Sequence, residues 1–197
     1  LRRQLPALLA LLLANGMAFA DIKIGVIASS TGPTAVVGIP QKQTVALLPT
    51  EIGGQKVEYI VLDDASDPTN AVTNVKKLIT EQKVDALIGP TTTPAALAML
   101  DFVAESKTPL VTTVGSSAII QPMDDKKKWV FKTTQNDDLI AGALIEHMTA
   151  NAVKTLGFIG FNDPYGENWF KVFGAMAEKA GLKLLVSERF NRTDQSV

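Results

Sequence analysis

The chain has 197 residues, 46% of them hydrophobic, with 19 Lys and Arg against 20 Asp and Glu for a net charge of −1. That length supports one good core or two modest ones, and the scattered, balanced charge excludes a nucleic-acid or anionic-membrane footprint; the one basic cluster, Lys126-Lys127-Lys128, follows Asp124-Asp125 and reads as a solvated turn. Cysteine is absent, which excludes both a disulfide framework and a thiol nucleophile.

Residues 1–20 read as an export signal. Arg2 and Arg3 form the basic region, residues 5–14 the apolar region, and Ala18-Phe19-Ala20 the small-x-small cleavage site, so the mature chain is expected to begin at Asp21. The apolar stretch is shorter than the ~20 residues a membrane span needs. With no cysteine to carry a lipid, a periplasmic location is expected. A start on Leu1 and an end at Val197 inside a run of strands and helices read as a piece of a longer chain.

From residue 22 onward, short apolar runs alternate with helical periods. Residues 22–27 form a continuous apolar run, the mark of a strand buried on both faces. A helix is expected over 41–51, bracketed by Pro40 and Pro49, then a strand over 56–62 ending on Asp63-Asp64. Asp67-Pro68 places a cap and an N1 proline before a helix whose inner face carries Ala71, Val72, Val75, Leu78 and Ile79. A strand over 84–88, a helix over 95–105 capped by Thr93, and a strand over 109–113 follow. Residues 116–128 have no period, and 129–133 read as an isolated extended run. Asn136 is placed to cap a helix running to about residue 150. Residues 155–161 form an apolar strand, 164–180 an amphipathic helix closed by Gly181, and 182–187 begin another strand. The fold class expected is α/β, two doubly wound parallel-sheet lobes with the second incomplete: residues 21–133, then 134–197.

Three strands empty into small hydroxyl-rich loops: Ser29-Ser30-Thr31-Gly32-Pro33-Thr34, Gly89-Pro90-Thr91-Thr92-Thr93-Pro94 and Thr112-Thr113-Val114-Gly115-Ser116-Ser117. In an open parallel sheet such loops gather at the carboxyl edge, where ligands bind. Hydroxyls and free helix N–H groups there suit a small carboxylate. Turns and caps use the same residues, so each loop taken singly is also ordinary turn chemistry. Tyr165, after the strand 155–161, either projects into the cleft or packs on Trp169. Nucleotide, nucleophile-elbow and zinc signatures are missing. His147 reads as structural near a helix C-terminus. Asp63-Asp64, Asp124-Asp125 and Asp137-Asp138 read as a strand end, a turn and a helix first turn, with Asp63-Asp64 at a carboxyl edge. No catalytic residue, metal or cofactor is assigned. A secreted α/β hydrolase using a loop Ser or Thr stays open as the alternative, though no base is placed for it. So does a sensory domain of the same fold.

In order, Ile-Lys-Ile-Gly-Val from Ile22, Thr31-Gly32-Pro33-Thr34-Ala35-Val36-Val37-Gly38, Asp67-Pro68, Gly89-Pro90-Thr91-Thr92-Thr93 and Asp163-Pro164-Tyr165-Gly166 resemble the substrate-binding proteins of branched-chain amino acid ABC transporters. The resemblance implies the type I periplasmic binding fold, hinged near 133–135 and closing over one ligand, and an ABC transporter membrane permease as partner. It implies that Thr93, with Thr92 beside it, grips the ligand carboxylate. Val114, Gly115 and Ser116 match the stretch offering backbone groups and a hydroxyl, Tyr165 matches the second-lobe aromatic, and Val37 stands where an aromatic is common. The group holding a ligand ammonium would come from beyond Val197. Gln121-Pro122-Met123-Asp124 and Trp129-Val130-Phe131-Lys132 are similar to members taking aromatic or keto acids.

Overall fold

The structure, a computed structural model, describes residues 21–196; the expected export signal lies outside the described residues. Its elements in chain order are β1 (Ile22–Ala28), α1 (Ala35–Val45), β2 (Glu51–Ile52), β3 (Gln55–Asp63), α2 (Pro68–Thr80), β4 (Ala86–Ile88), α3 (Thr93–Ser106), β5 (Leu110–Thr112), β6 (Val130–Lys132), α4 (Asp137–Ala150), β7 (Thr155–Phe161), α5 (Pro164–Lys179) and β8 (Lys183–Phe190). Six strands form one sheet in the order β2-β3-β1-β4-β5-β6, and β7 and β8 pair in a second. All pairs are parallel except the β2–β3 hairpin.

Strand order reverses between β1 and β4: the chain leaves β1 for β3 on one side, then crosses back to β4 on the other. The two loops leaving those strands diverge and open a crevice at the carboxyl edge. The core beneath it is apolar. Ala71, Val75 and Leu78 of α2 and Ala95, Met99 and Val103 of α3 are fully buried with Ile27, Leu87 and Leu110 from the strands. Each of the larger ones, Val, Leu, Ile or Met, contributes about 1.5–3 kcal/mol by leaving water. A separate core holds Ala141, Ile145, Phe173, Ala177 and Leu182.

Three expectations need correction. The first helix spans Ala35–Val45, not 41–51, and residues 51–52 are an edge strand. Pro40 lies inside this helix rather than before it, and Gly38 lets the helix approach β1: a Cβ there would stand 2.0 Å from the Ser29 carbonyl oxygen. Thr93 is not the α3 cap; Thr92 holds that position, and its side chain makes no capping bond. The run at 129–133 is not isolated, since β6 pairs with β5, Leu110 opposite Val130. By contrast Asp67 caps α2 as expected, accepting from the Thr69 and Asn70 N–H groups at 2.6 and 3.0 Å. Gly181 takes the left-handed position after α5.

Candidate functional site

The loop after β1 is fastened by the acids ending β3. Ser29 donates its hydroxyl to Asp64 Oδ1 at 2.6 Å, and the Ser66 N–H donates to the same oxygen at 3.0 Å. Asp63 accepts the N–H groups of Ser30, Thr31 and Ala65 and the Thr31 hydroxyl. Burial pushes the Asp64 carboxyl above its ordinary value despite those donors; at Asp63 the donors outweigh burial and hold it below. These hydroxyls are therefore spent on the fold, which corrects the expectation that all three loops face a ligand. The acids bracket the loop, and among the described residues no His/Cys/Asp/Glu group could hold a metal.

A chain of polar contacts then joins the three loops through α1. The Ser29 N–H donates to Thr91 Oγ1 (2.8 Å), Thr91 to Gln41 Oε1 (2.6 Å), Gln41 Nε2 to Thr113 Oγ1 (3.2 Å), and Thr113 to the Pro90 carbonyl (3.1 Å). With Thr91 and Thr113 consumed, the Thr92 and Thr93 hydroxyls are left without a partner among the described residues, at the N-terminus of α3. The first N–H groups of a helix lack internal acceptors, so donors converge where an anion would sit.

The opposite wall comes from the second sheet. Asp163 caps α5 by accepting from the Tyr165 and Gly166 N–H groups at 2.9 and 3.0 Å, which starts the helix beneath Tyr165. The Tyr165 ring leans toward the first sheet, where a Cβ on Gly115 would stand 3.1 Å from its Cε2. Phe161 lies beside it, ring centroids 6.5 Å apart. Between the walls is a cavity of about 360 Å³, lined by Thr91, Thr92, Thr93, Thr113 and Gly115 below, by Val36, Val37 and Gln41 of α1, and by Phe161, Tyr165 and Arg192 above. It offers a polar floor and an apolar shelf, suited to a small acid with a greasy body.

Thr92, Thr93, Gly115, Tyr165 and Val37 are thus brought together. Val114 and Ser116 are not. Val114 is buried in the first core, and the fully buried Ser116 turns its Oγ to accept the Ala118 N–H at 3.2 Å, starting the short 3-10 turn Ser117–Ile119. Sequence reasoning assigned no site role to Gln41, Phe161 or Arg192, and it placed Thr113 in a ligand-edge loop without singling it out. Gln41 was lost with the misplaced first helix, and Arg192 lies beyond the last expected strand.

Hydrogen bonds also cross between the sheets around Asp137 and Ser117, with Asn168 Nδ2 donating to Ser117 Oγ at 3.4 Å. Fully buried Asp137, at the start of α4, accepts through Oδ2 from the Ser117 N–H (3.3 Å) and from Asn168 of α5, while its Oδ1 has no partner among the described residues. Burial raises its carboxyl above the ordinary 3.8, the Ser117, Asn168 and Lys132 groups only partly offsetting it. A raised native pKa means that the folded state holds the proton more tightly, so stability falls as pH climbs from about that value through the native one. Urea unfolding of Asp137→Asn and the parent across pH 3.5–7 is expected to show the variant gaining relative to the parent over that rise. A pH-independent difference would contradict it.

A family profile described as periplasmic binding protein matches residues 21–197. Among curated proteins, a Leu/Ile/Val-binding protein of Rhizobium johnstonii is 26% identical over 186 residues, covering 91% of this chain and 50% of that one. A Leu/Ile/Val-binding protein homolog of Brucella melitensis is 28% identical over 172 residues, covering 84% and 46%. The solved structure of an extracellular ligand-binding receptor from Rhodopseudomonas palustris HaA2 superposes with a TM-score of 0.88 at 48% identity, covering 91% and 50%. The chain spans about half the length of these relatives.

Proposed function

Because the chain belongs to the periplasmic binding protein family, we propose that it serves as the solute-binding component of an ABC importer, taking a small carboxylate such as a branched-chain or other apolar amino acid. The observation that carries this is the pair of unpartnered hydroxyls, Thr92 and Thr93, at a helix N-terminus on the floor of a cleft roofed by Tyr165. The carboxylate docks on those donors, its body lies against Val36 and Val37, and Tyr165 closes over it. The lobes run over 21–133 and 134–197, and closure turns about 133–135, where Thr134 Oγ1 holds the Val114 carbonyl at 2.7 Å. Contacts made only in the closed form shift the population toward it, presenting a surface to a membrane permease. The location is periplasmic, reached through the export signal at residues 1–20, and the role is binding rather than catalysis.

A second reading, an aromatic or keto acid in the same cleft, is favoured by the two rings on one wall, Phe161 and Tyr165. Isothermal titration calorimetry of the full-length protein against L-leucine, L-valine, 4-methyl-2-oxopentanoate and benzoate tests both. Micromolar or tighter binding of at least one is expected; no heat from any of them refutes the proposal.

A further inference from the structure

Arg192 stands in the cleft wall with its geometry already set. Its Nε donates to Asp163 Oδ2 at 2.6 Å, and its guanidinium lies 4.0 Å from the Phe161 ring centroid and 5.7 Å from that of Tyr165. The side chain is only 22% exposed, so it is packed rather than waving in solvent. Asp163 is in turn saturated, one oxygen on the α5 cap and the other on Arg192. The two Nη groups have no partner among the described residues. Arg192 and Thr92 together border both the main cleft and the neighbouring hollow formed with Ser66, Pro94 and Asn191, so they face one passage from opposite sheets. Among the described residues lining the main cleft, Arg192 is the charged one.

A guanidinium locked at Nε and stacked on an aromatic face presents its remaining donors as a fork matched to a carboxylate. We propose that Arg192 is the second-lobe anchor of the ligand carboxylate, closing its Nη pair on an anion seated at Thr92 and Thr93, and that the cleft thereby favours acids lacking an ammonium group. The inference rests on the carboxylate-receptor reading above and narrows its substrate class. Thr92 and Thr93 alone offer neutral donors that rank anions weakly; adding a fixed cation makes the second lobe close for charge. An ammonium beside the same carboxylate would meet that cation as a like charge in a partly desolvated cleft, whereas a 2-oxo or aromatic acid brings no such repulsion.

The test uses calorimetry on the full-length protein with two pairs: an acid against its amide, benzoate and benzamide, and a 2-oxo acid against its amino counterpart, 4-methyl-2-oxopentanoate and L-leucine. In the parent, benzoate is expected to bind at least 100-fold tighter than benzamide, and 4-methyl-2-oxopentanoate at least tenfold tighter than L-leucine. In Arg192→Gln the acid-to-amide ratio is expected to fall to about tenfold or less, with Arg192→Lys in between, because Lys returns the charge without the fork. A role confined to latching Asp163 would weaken acid and amide in parallel and leave the ratio unchanged, and that result overturns the proposal. So does L-leucine outcompeting its keto analogue. If Arg192→Gln does not fold, the ratio in Arg192→Lys decides alone. Failure of every probe on the parent protein would refute the carboxylate-receptor reading itself and this inference with it; binding by the parent with an unchanged ratio in the variants refutes only the role of Arg192.

Discussion

Gly166→Ala is expected to lower stability by about 3 kcal/mol, at the upper end for forcing atoms into a packed site. A Cβ at Gly166 would stand 1.9 Å from the Phe161 carbonyl oxygen and 2.8 Å from its C and N. Those are backbone atoms of β7, so no side-chain rotation relieves the clash; the N-terminus of α5 must back away from the strand. That movement pulls the Gly166 and Tyr165 N–H groups off Asp163 and forfeits the cap as well. For a chain of this size the melting temperature is expected to fall by roughly 6–12 °C. Tyr165 rides on the displaced turn, so affinity for any carboxylate that the parent binds is expected to drop at least tenfold. Urea unfolding and calorimetry on the same preparation check both. A variant within about 1 kcal/mol of the parent would mean that helix and strand are not held at this separation.

The second large effect concerns the donors. Thr92→Val with Thr93→Val replaces two hydroxyls by methyls of the same shape, at positions that make no side-chain bond within the described structure. Stability is therefore expected to stay nearly constant, since no partner is stranded. Binding is not. A hydrogen bond to a charged group is worth about 1.5–3 kcal/mol, so each hydroxyl contributes roughly tenfold or more, and the pair together about a hundredfold. Calorimetry with whichever acid binds the parent, alongside a melting curve, checks the two halves separately. Unchanged affinity would show that the α3 N-terminus is not where the carboxylate sits. A lowered melting temperature would show instead that the hydroxyls serve the fold.

The two variants separate what positions the site from what fills it. Gly166 acts through packing, and its loss reaches stability first and ligand second. Thr92 and Thr93 bond no partner among the described residues, and their loss reaches only the ligand. Asp137 falls between these cases, since it links Ser117, in the loop after β5, to Asn168 on α5.

Alternation of apolar runs with helical periods was sufficient to read the α/β class, because burial on both sheet faces imposes that pattern whatever the ligand. The cap of α2 at Asp67, the exact span of β7 and the glycine after α5 were legible for the same local reason: each depends on a few neighbouring residues. So was the gathering of Thr92, Thr93 and Gly115, since parallel strands deliver their carboxyl ends to one edge, whereas Tyr165, from the other sheet, stayed open between the cleft and Trp169. Helix α1 escaped because Pro40 marks a boundary in local terms, yet the helix runs through it, with Gly38 set against the Ser29 carbonyl oxygen.

Which hydroxyls remain available was decided in three dimensions alone. Ser29, Thr31, Thr91 and Thr113 look equivalent to Thr92 and Thr93 along the chain, but partners at separations of 32 to 72 residues consume the first four and leave the last two free among the described residues. Arg192 likewise gains its meaning only through Asp163, 29 residues away, and the ring of Phe161. Periodicity reports which face of an element is buried; it carries no record of which donor meets which acceptor across the sheet. Hydrogen-bond saturation is a property of pairs, and tertiary packing chooses the pairs.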